Sequence, residues 1–101
     1  MAINSLSSIA LSGMQAAQAQ LDVSANNIAN MATEGYHREQ LVQTEQAQGG
    51  VSTSVQRAAE AGPDLVTDVV AQLQSKNAFL ANLAVFKTNS KLKGTLLDEA
   101  A

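Results

Sequence analysis

Between residues 5 and 31, Ala10, Met14, Ala17, Leu21, Ser24, Ile28 and Met31 recur at alternating spacings of four and three. A heptad stripe of this kind predicts a helix with one face toward a partner. Leu6, Ile9 and Ala25 widen the stripe, while Gln15, Gln18, Gln20 and Asp22 fall on other faces. The expected amphipathic helix is about 38 Å long at 1.5 Å per residue. Its stripe is mostly small side chains, which let a neighbouring helix approach closely. Gly13 interrupts it and weakens an isolated helix by about 1 kcal/mol relative to alanine.

A second helical pattern covers residues 64–93. Leu65, Val66, Val69, Val70, Leu73, Phe79, Leu80, Leu83 and Phe86 form a broad apolar face, with Phe79, Leu83 and Phe86 expected to pack the two helices together. Asp64 is placed to cap its start, and Asp68 follows in the first turns. Lys87, Lys91 and Lys93 fall where cations favour the negative end of the helix dipole, and Gly94 is the expected terminator. Leu96 and Leu97 follow with no partner assigned.

Between the helical patterns the chemistry changes. Residues 36–47 and 51–57 are rich in Val, Thr, Gln, Tyr and Leu, with Gly49 and Gly50 between them as a two-residue turn. They predict a β-hairpin. A lone two-stranded hairpin is marginal in water, so this one is expected to lean on a helix or a neighbouring molecule. Residues 58–64, with Gly62 and Pro63, read as a hinge. The expected fold is mainly α: two long antiparallel amphipathic helices, coiled-coil-like, with a small β-hairpin between them. The segments are 1–32, 33–62 and 63–101, and the two helices form one discontinuous domain.

Composition narrows this picture. The chain has 101 residues and is 46% hydrophobic, but its aromatics amount to 3%. Tyr36, Phe79 and Phe86 cannot fill a thick core, so thin, elongated packing supported by association is expected. The net charge is −3 and the six basic residues are scattered, with only the last three clustered. That excludes a basic nucleic-acid face. With no cysteine there is neither a disulfide framework nor a thiolate metal site. The first residues lack the basic region of a secretory signal peptide, and no apolar run reaches the roughly 20 residues that span a bilayer. Neither direct membrane insertion nor a cleaved signal is expected.

Candidate chemistry is sparse. His37, the single histidine, lies beside Arg38 and Glu39, but adjacent strand residues point to opposite faces. His37 therefore reads as an ordinary polar strand residue. There is no second histidine for a metal, no phosphate-cradling glycine pattern and no nucleophile elbow. No catalytic residue, cofactor or metal is expected.

The oddity is Asn26, Asn27 and Asn30, three poor helix formers at the end of the first helical pattern. They share one flank at i,i+3 and i,i+4 spacing. Two readings stand on the residues alone. Asparagine can fray a helix end, or its donors and acceptor can make directional contacts that fix register.

The stretch "SANNIANMATEGYHR" resembles the N-terminal signature of the bacterial flagellar rod and hook proteins, in which Ala25, Asn27, Ile28, Ala29, Asn30, Thr33, Gly35 and Tyr36 match an Ala-x-Asn-Ile-Ala-Asn-x-x-Thr-x-Gly-Tyr pattern. Residues 64–100 are similar to that family's closing helix, through Asn77, Ala78, Phe79, Ala81, Asn82, Lys87 and Thr88. The short middle segment is similar to a minimal proximal-rod protein. The resemblance implies a structural, non-enzymatic subunit of the basal-body rod, exported through the flagellar type III apparatus. It would co-assemble with copies of itself and with other rod or hook subunits. Ala25 to Ala29, Asn30, Thr33, Gly35 and Tyr36 would carry assembly contacts, with Phe79, Asn82, Leu83 and Phe86 from the second helix. The alternative is a dimeric helical adaptor or flagellar export chaperone, since amphipathic helices also suit binding of another protein's helix.

Overall fold

The computed structural model describes the backbone of residues 2–100 and the side chains of residues 5–98. The chain runs α1 (Ala2–Ala29), β1 (His37–Glu45), β2 (Val51–Ala61) and α2 (Leu65–Ala100). It is an elongated slab of 63 × 25 × 14 Å. The two helices lie antiparallel, and the strands form one antiparallel hairpin. This is the mainly α architecture anticipated above.

The helix pair closes on small and polar groups. Among the described residues the buried apolar side chains are Ala10, Met14, Ala16, Ala17 and Val23, all on α1. Ala10, Met14 and Ala17 belong to the heptad stripe. The buried polar side chains are Ser24, Asn27, Asp68, Ser75 and Asn89. In α2, Asp68, Ser75, Asn82 and Asn89 repeat every seven residues, so they share one face. That face is turned to α1: Asn27 Nδ2 donates to Asp68 Oδ1 at 3.3 Å, a Cβ on Gly13 would meet Asn82, and Asn89 Nδ2 donates to Ser7 Oγ.

This corrects the expected packing of α2. Val66, Val69, Val70, Leu73 and Leu80 are exposed, on the side opposite the polar heptad. Phe79, Leu83 and Phe86 are half-buried and flank the seam, with Phe79 lining a groove beside Ala17 and Leu21. The polar ladder leaves them no place at its centre.

Asp64 caps α2 as expected, with Oδ1 accepting the Thr67 N–H at 3.2 Å and Oδ2 accepting the Thr67 hydroxyl at 2.7 Å. The far end differs. Gly94 does not stop the helix, which runs on to Ala100, and its last turn carries no basic residue. Lys87, Lys91 and Lys93 are therefore interior positions. Gly94 has a cost of about 1 kcal/mol in a helix interior, and the leucines and other good helix formers around it outweigh that.

The hairpin lies along α1. Its strands stop at Glu45 and restart at Val51, so the connection is residues 46–50 rather than a two-residue turn. Gln46 bonds Gly50 and Gly49 across this loop at 3.0 and 2.9 Å. At the tip the Val51 N–H donates to Ser12 Oγ at 3.1 Å, and Gly49 sits against Ile9. The second strand also extends past Arg57 to Ala61, which shortens the expected hinge to residues 62–64.

Candidate functional site

The three asparagines meet the base of the hairpin. α1 ends at Ala29, and the chain leaves through i to i+3 bonds, Met31 N–H to Ile28 C=O at 3.2 Å and Thr33 N–H to Asn30 C=O at 2.9 Å. Asn30 serves this exit. Its amide donates to the Asn26 carbonyl at 2.9 Å, and its Oδ1 accepts from the Thr33 hydroxyl at 3.3 Å. Gly35 then takes φ +74, a backbone state that side chains disfavour, and aims Tyr36 back at α1.

Asn27 is 2% exposed and clamps the main chain of Glu39. Its Oδ1 accepts the Glu39 N–H at 2.7 Å, while its Nδ2 donates to the Glu39 C=O at 2.9 Å. A side-chain amide thus behaves as one residue of a third strand, satisfying the edge of β1. The Tyr36 hydroxyl also donates to Asn27 Oδ1, at 3.3 Å. Asn26 donates to the Tyr36 hydroxyl at 2.7 Å and to the Glu39 carboxylate. Asn26 and Asn27 make directional contacts, and fraying does not describe them.

The strand pairing shifts between His37 and Glu39. His37 pairs with Ala61 and Glu39 with Arg57, so Arg38 alone opposes Ala58, Ala59 and Glu60. Bulges of this kind re-aim a side chain. Here the Arg38 guanidinium crosses to α2 and pairs with Asp68 through both carboxylate oxygens. The Asp68 carboxylate raises the Arg38 pKa further above its ordinary value, against a smaller opposing effect of burial. Asp68 is 3% exposed, and with Asn27 donating as well its charge is compensated from two directions. Asp68, Arg38 and Asn27 therefore lock together α2, β1 and α1.

Arg57 completes the outer side, with its guanidinium 5.2 Å from the Tyr36 ring centre and a 3.0 Å bond to the His37 carbonyl. His37 Nδ1 is 2.8 Å from the Ala58 carbonyl, so that nitrogen carries the proton. This is the structural strand histidine anticipated. No group of acidic, histidine or cysteine side chains among the described residues is arranged to hold a metal.

The structure thus gathers Asn26, Asn27, Asn30, Thr33, Gly35 and Tyr36 at one junction. Ile28 is half-buried beside it, while Ala25 and Ala29 are exposed on the outer face of α1. Phe79, Asn82, Leu83 and Phe86 lie farther along the helix pair and do not join the cluster. Sequence reasoning missed Arg38, Glu39 and Asp68 as members; the signal for Asp68 was its place in the polar heptad that runs to Asn89.

A family model described as flagella basal body rod protein matches residues 8–37. No curated protein matches the chain significantly. The matched segment holds the α1 side of the helix seam from Ala10 onward, all three asparagines and the exit turn as far as His37. Over this segment the chain is similar to the flagellar basal-body rod family.

Proposed function

We propose that this chain is a structural subunit of the flagellar rod that assembles through its terminal helices, with copies of itself and with other rod or hook subunits. The rod family is structural rather than enzymatic and its place is the flagellar basal body. The observation that carries the assembly mechanism is where the apolar surface lies. Leu6, Ile9 and Leu11 on α1, and Val66, Leu73, Leu80, Leu92 and Leu97 on α2, are all exposed. Large apolar side chains near the start of α1 and along the length of α2 favour covering by neighbours. A contact between unlike faces would propagate into a helical polymer instead of closing on itself.

In this reading the asparagine junction holds the hairpin at a fixed attitude to the helices, so that each subunit offers its neighbours the same outline. Export through the type III apparatus, without a cleaved signal, belongs to the same proposal. No described helix is long and apolar enough to cross a membrane.

The test removes residues 1–30 and asks for motility and for the chain in purified basal bodies. A soluble remnant that no longer joins rods is expected; a remnant that still assembles and supports motility would overturn the proposal. A discrete dimer that binds an unfolded client, and is absent from basal bodies, would favour the adaptor reading.

A further inference from the structure

Two exposed ridges run along the outer sides of the helix pair, and they match each other. On α1 the ridge is Leu11, Gln15, Gln18, Asp22, Ala25 and Ala29, every one exposed. On α2 it is Val66, Val70, Leu73, Asn77, Leu80 and Ala84, again all exposed. Both step by four and three, the spacing of a coiled-coil seam.

The internal register sets their heights. Asn27 is level with Asp68 and Gly13 with Asn82, so level residues have numbers that sum to 95 in both cases. By that rule Leu11 is level with Ala84, Gln15 with Leu80, Gln18 with Asn77, Asp22 with Leu73, Ala25 with Val70 and Ala29 with Val66. Every position of one ridge has a counterpart on the other. Ala25 and Ala29 stand opposite valines, Leu11 opposite an alanine, and Gln18 opposite an amide. In three of the six level pairs large meets small, as interdigitating helices require.

Charge agrees with this pairing. Between residues 2 and 33 the one charged side chain is Asp22, and between residues 69 and 86 it is Lys76. Neither has an oppositely charged partner within 4 Å among the described residues; Asp22 accepts from Gln18 at 3.0 Å. Asp22 is level with Leu73, three residues from Lys76, which is about 4.5 Å along the axis. That offset is within reach of a lysine side chain.

We propose that the α2 ridge of residues 66–84 docks on the α1 ridge of residues 11–29 of a second copy standing beside it at the same height, with Lys76 of one copy meeting Asp22 of the other. The contact joins unlike faces, so each copy of a docked pair keeps one ridge free, an α1 ridge at one end and an α2 ridge at the other, and the row continues. The inference rests on the reading of the chain as an assembling subunit, and it adds the faces, the register and the identity of the neighbour.

The chain has no cysteine, so engineered pairs report cleanly. The Gln18→Cys/Asn77→Cys variant, concentrated and mildly oxidised, is expected to give a ladder of covalent multimers on a non-reducing gel. Gln18→Cys/Ala84→Cys, displaced by about 10 Å along the axis, is expected to give none. Asp22→Lys is expected to lower the ladder yield about threefold, and adding Lys76→Asp to restore it. Circular dichroism verifies that each variant keeps its helices.

No ladder at the highest soluble concentration, a ladder from the displaced pair as strong as from the level pair, or a closed dimer from Asn77→Cys alone would each overturn the contact. Basal-body purification separates this result from the broader reading. The chain present there without the ladder removes the contact and keeps the rod assignment, whereas the ladder without the chain in basal bodies does the reverse.

Discussion

Gly13 faces Asn82 across the helix pair so closely that a Cβ on Gly13 would lie 2.5 Å from the Asn82 Oδ1. Asn82 is held there by its own donation to the Ala78 carbonyl at 2.8 Å. Gly13→Ala should therefore destabilise the chain by about 1 kcal/mol, the crowding exceeding the gain in helix propensity. In an Asn82→Ala background the same change should stabilise by about 1 kcal/mol. Urea unfolding of the four variants tests for this reversal of sign.

Asn27 satisfies both main-chain groups of Glu39, and Asn27→Ala would leave a strand edge facing a void. A loss of about 2–3 kcal/mol is expected. Hydrogen exchange at the Glu39 amide should accelerate far more than at amides near the Ser12 contact. Uniform acceleration along the hairpin would show that Asn27 has no local hold.

The Arg38–Asp68 pair is largely buried, with side-chain exposures of 15% and 4%. Asp68→Leu should cost about 2–3 kcal/mol, because it strands the guanidinium, and combining it with Arg38→Met should recover most of that loss. Denaturant midpoints of the single and double variants give the comparison. If the double variant is as unstable as the sum of the singles, the cost is one of packing and not of charge.

Asp64 has its pKa lowered below 3.8 by the Thr67 hydroxyl and then by the Thr67 N–H. A depressed carboxyl contributes stability that is complete above the unfolded-state pKa and is lost as pH falls through the folded one. The first turn of α2 should thus loosen only in acid below pH 4. An NMR titration should place the Asp64 carboxyl midpoint below that of the acid-unfolded chain, and Asp64→Asn should abolish the transition at the Thr67 amide while keeping a cap.

Much of the framework was legible in the sequence. Ala10, Met14 and Ala17 gave away their seam by spacing, the paired glycines marked a hairpin tip, and Asp64 before a helical run marked a cap. The orientation of α2 was not legible, because periodicity declares that a face exists without saying which neighbour it meets. Val66, Leu73 and Leu80 look like core to anyone who expects burial within one chain. The role of Asp68 was hidden differently. A carboxylate in a first turn has a sufficient local explanation, and its true partner, Arg38, is reached only through a bulge that the strand pattern does not announce. Asn26 and Asn27 stood out as anomalies, but the backbone of Glu39, the group they serve, carries no signature in side-chain chemistry.

The hairpin is pinned to α1 at two places, its base at Asn27 and its tip at Ser12. Fifteen helical residues separate those pins, about 22 Å, and the strand from Glu39 to Gln46 covers about 23 Å. The helix is therefore a ruler for the strands. Two residues added to each strand would carry the tip beyond its Ser12 anchor, whereas residues added after the loop begins at Gln46 would overhang without disturbing either pin. Growth of the middle segment is thus channelled to one end of the ruler, and the distance between its two marks stays fixed.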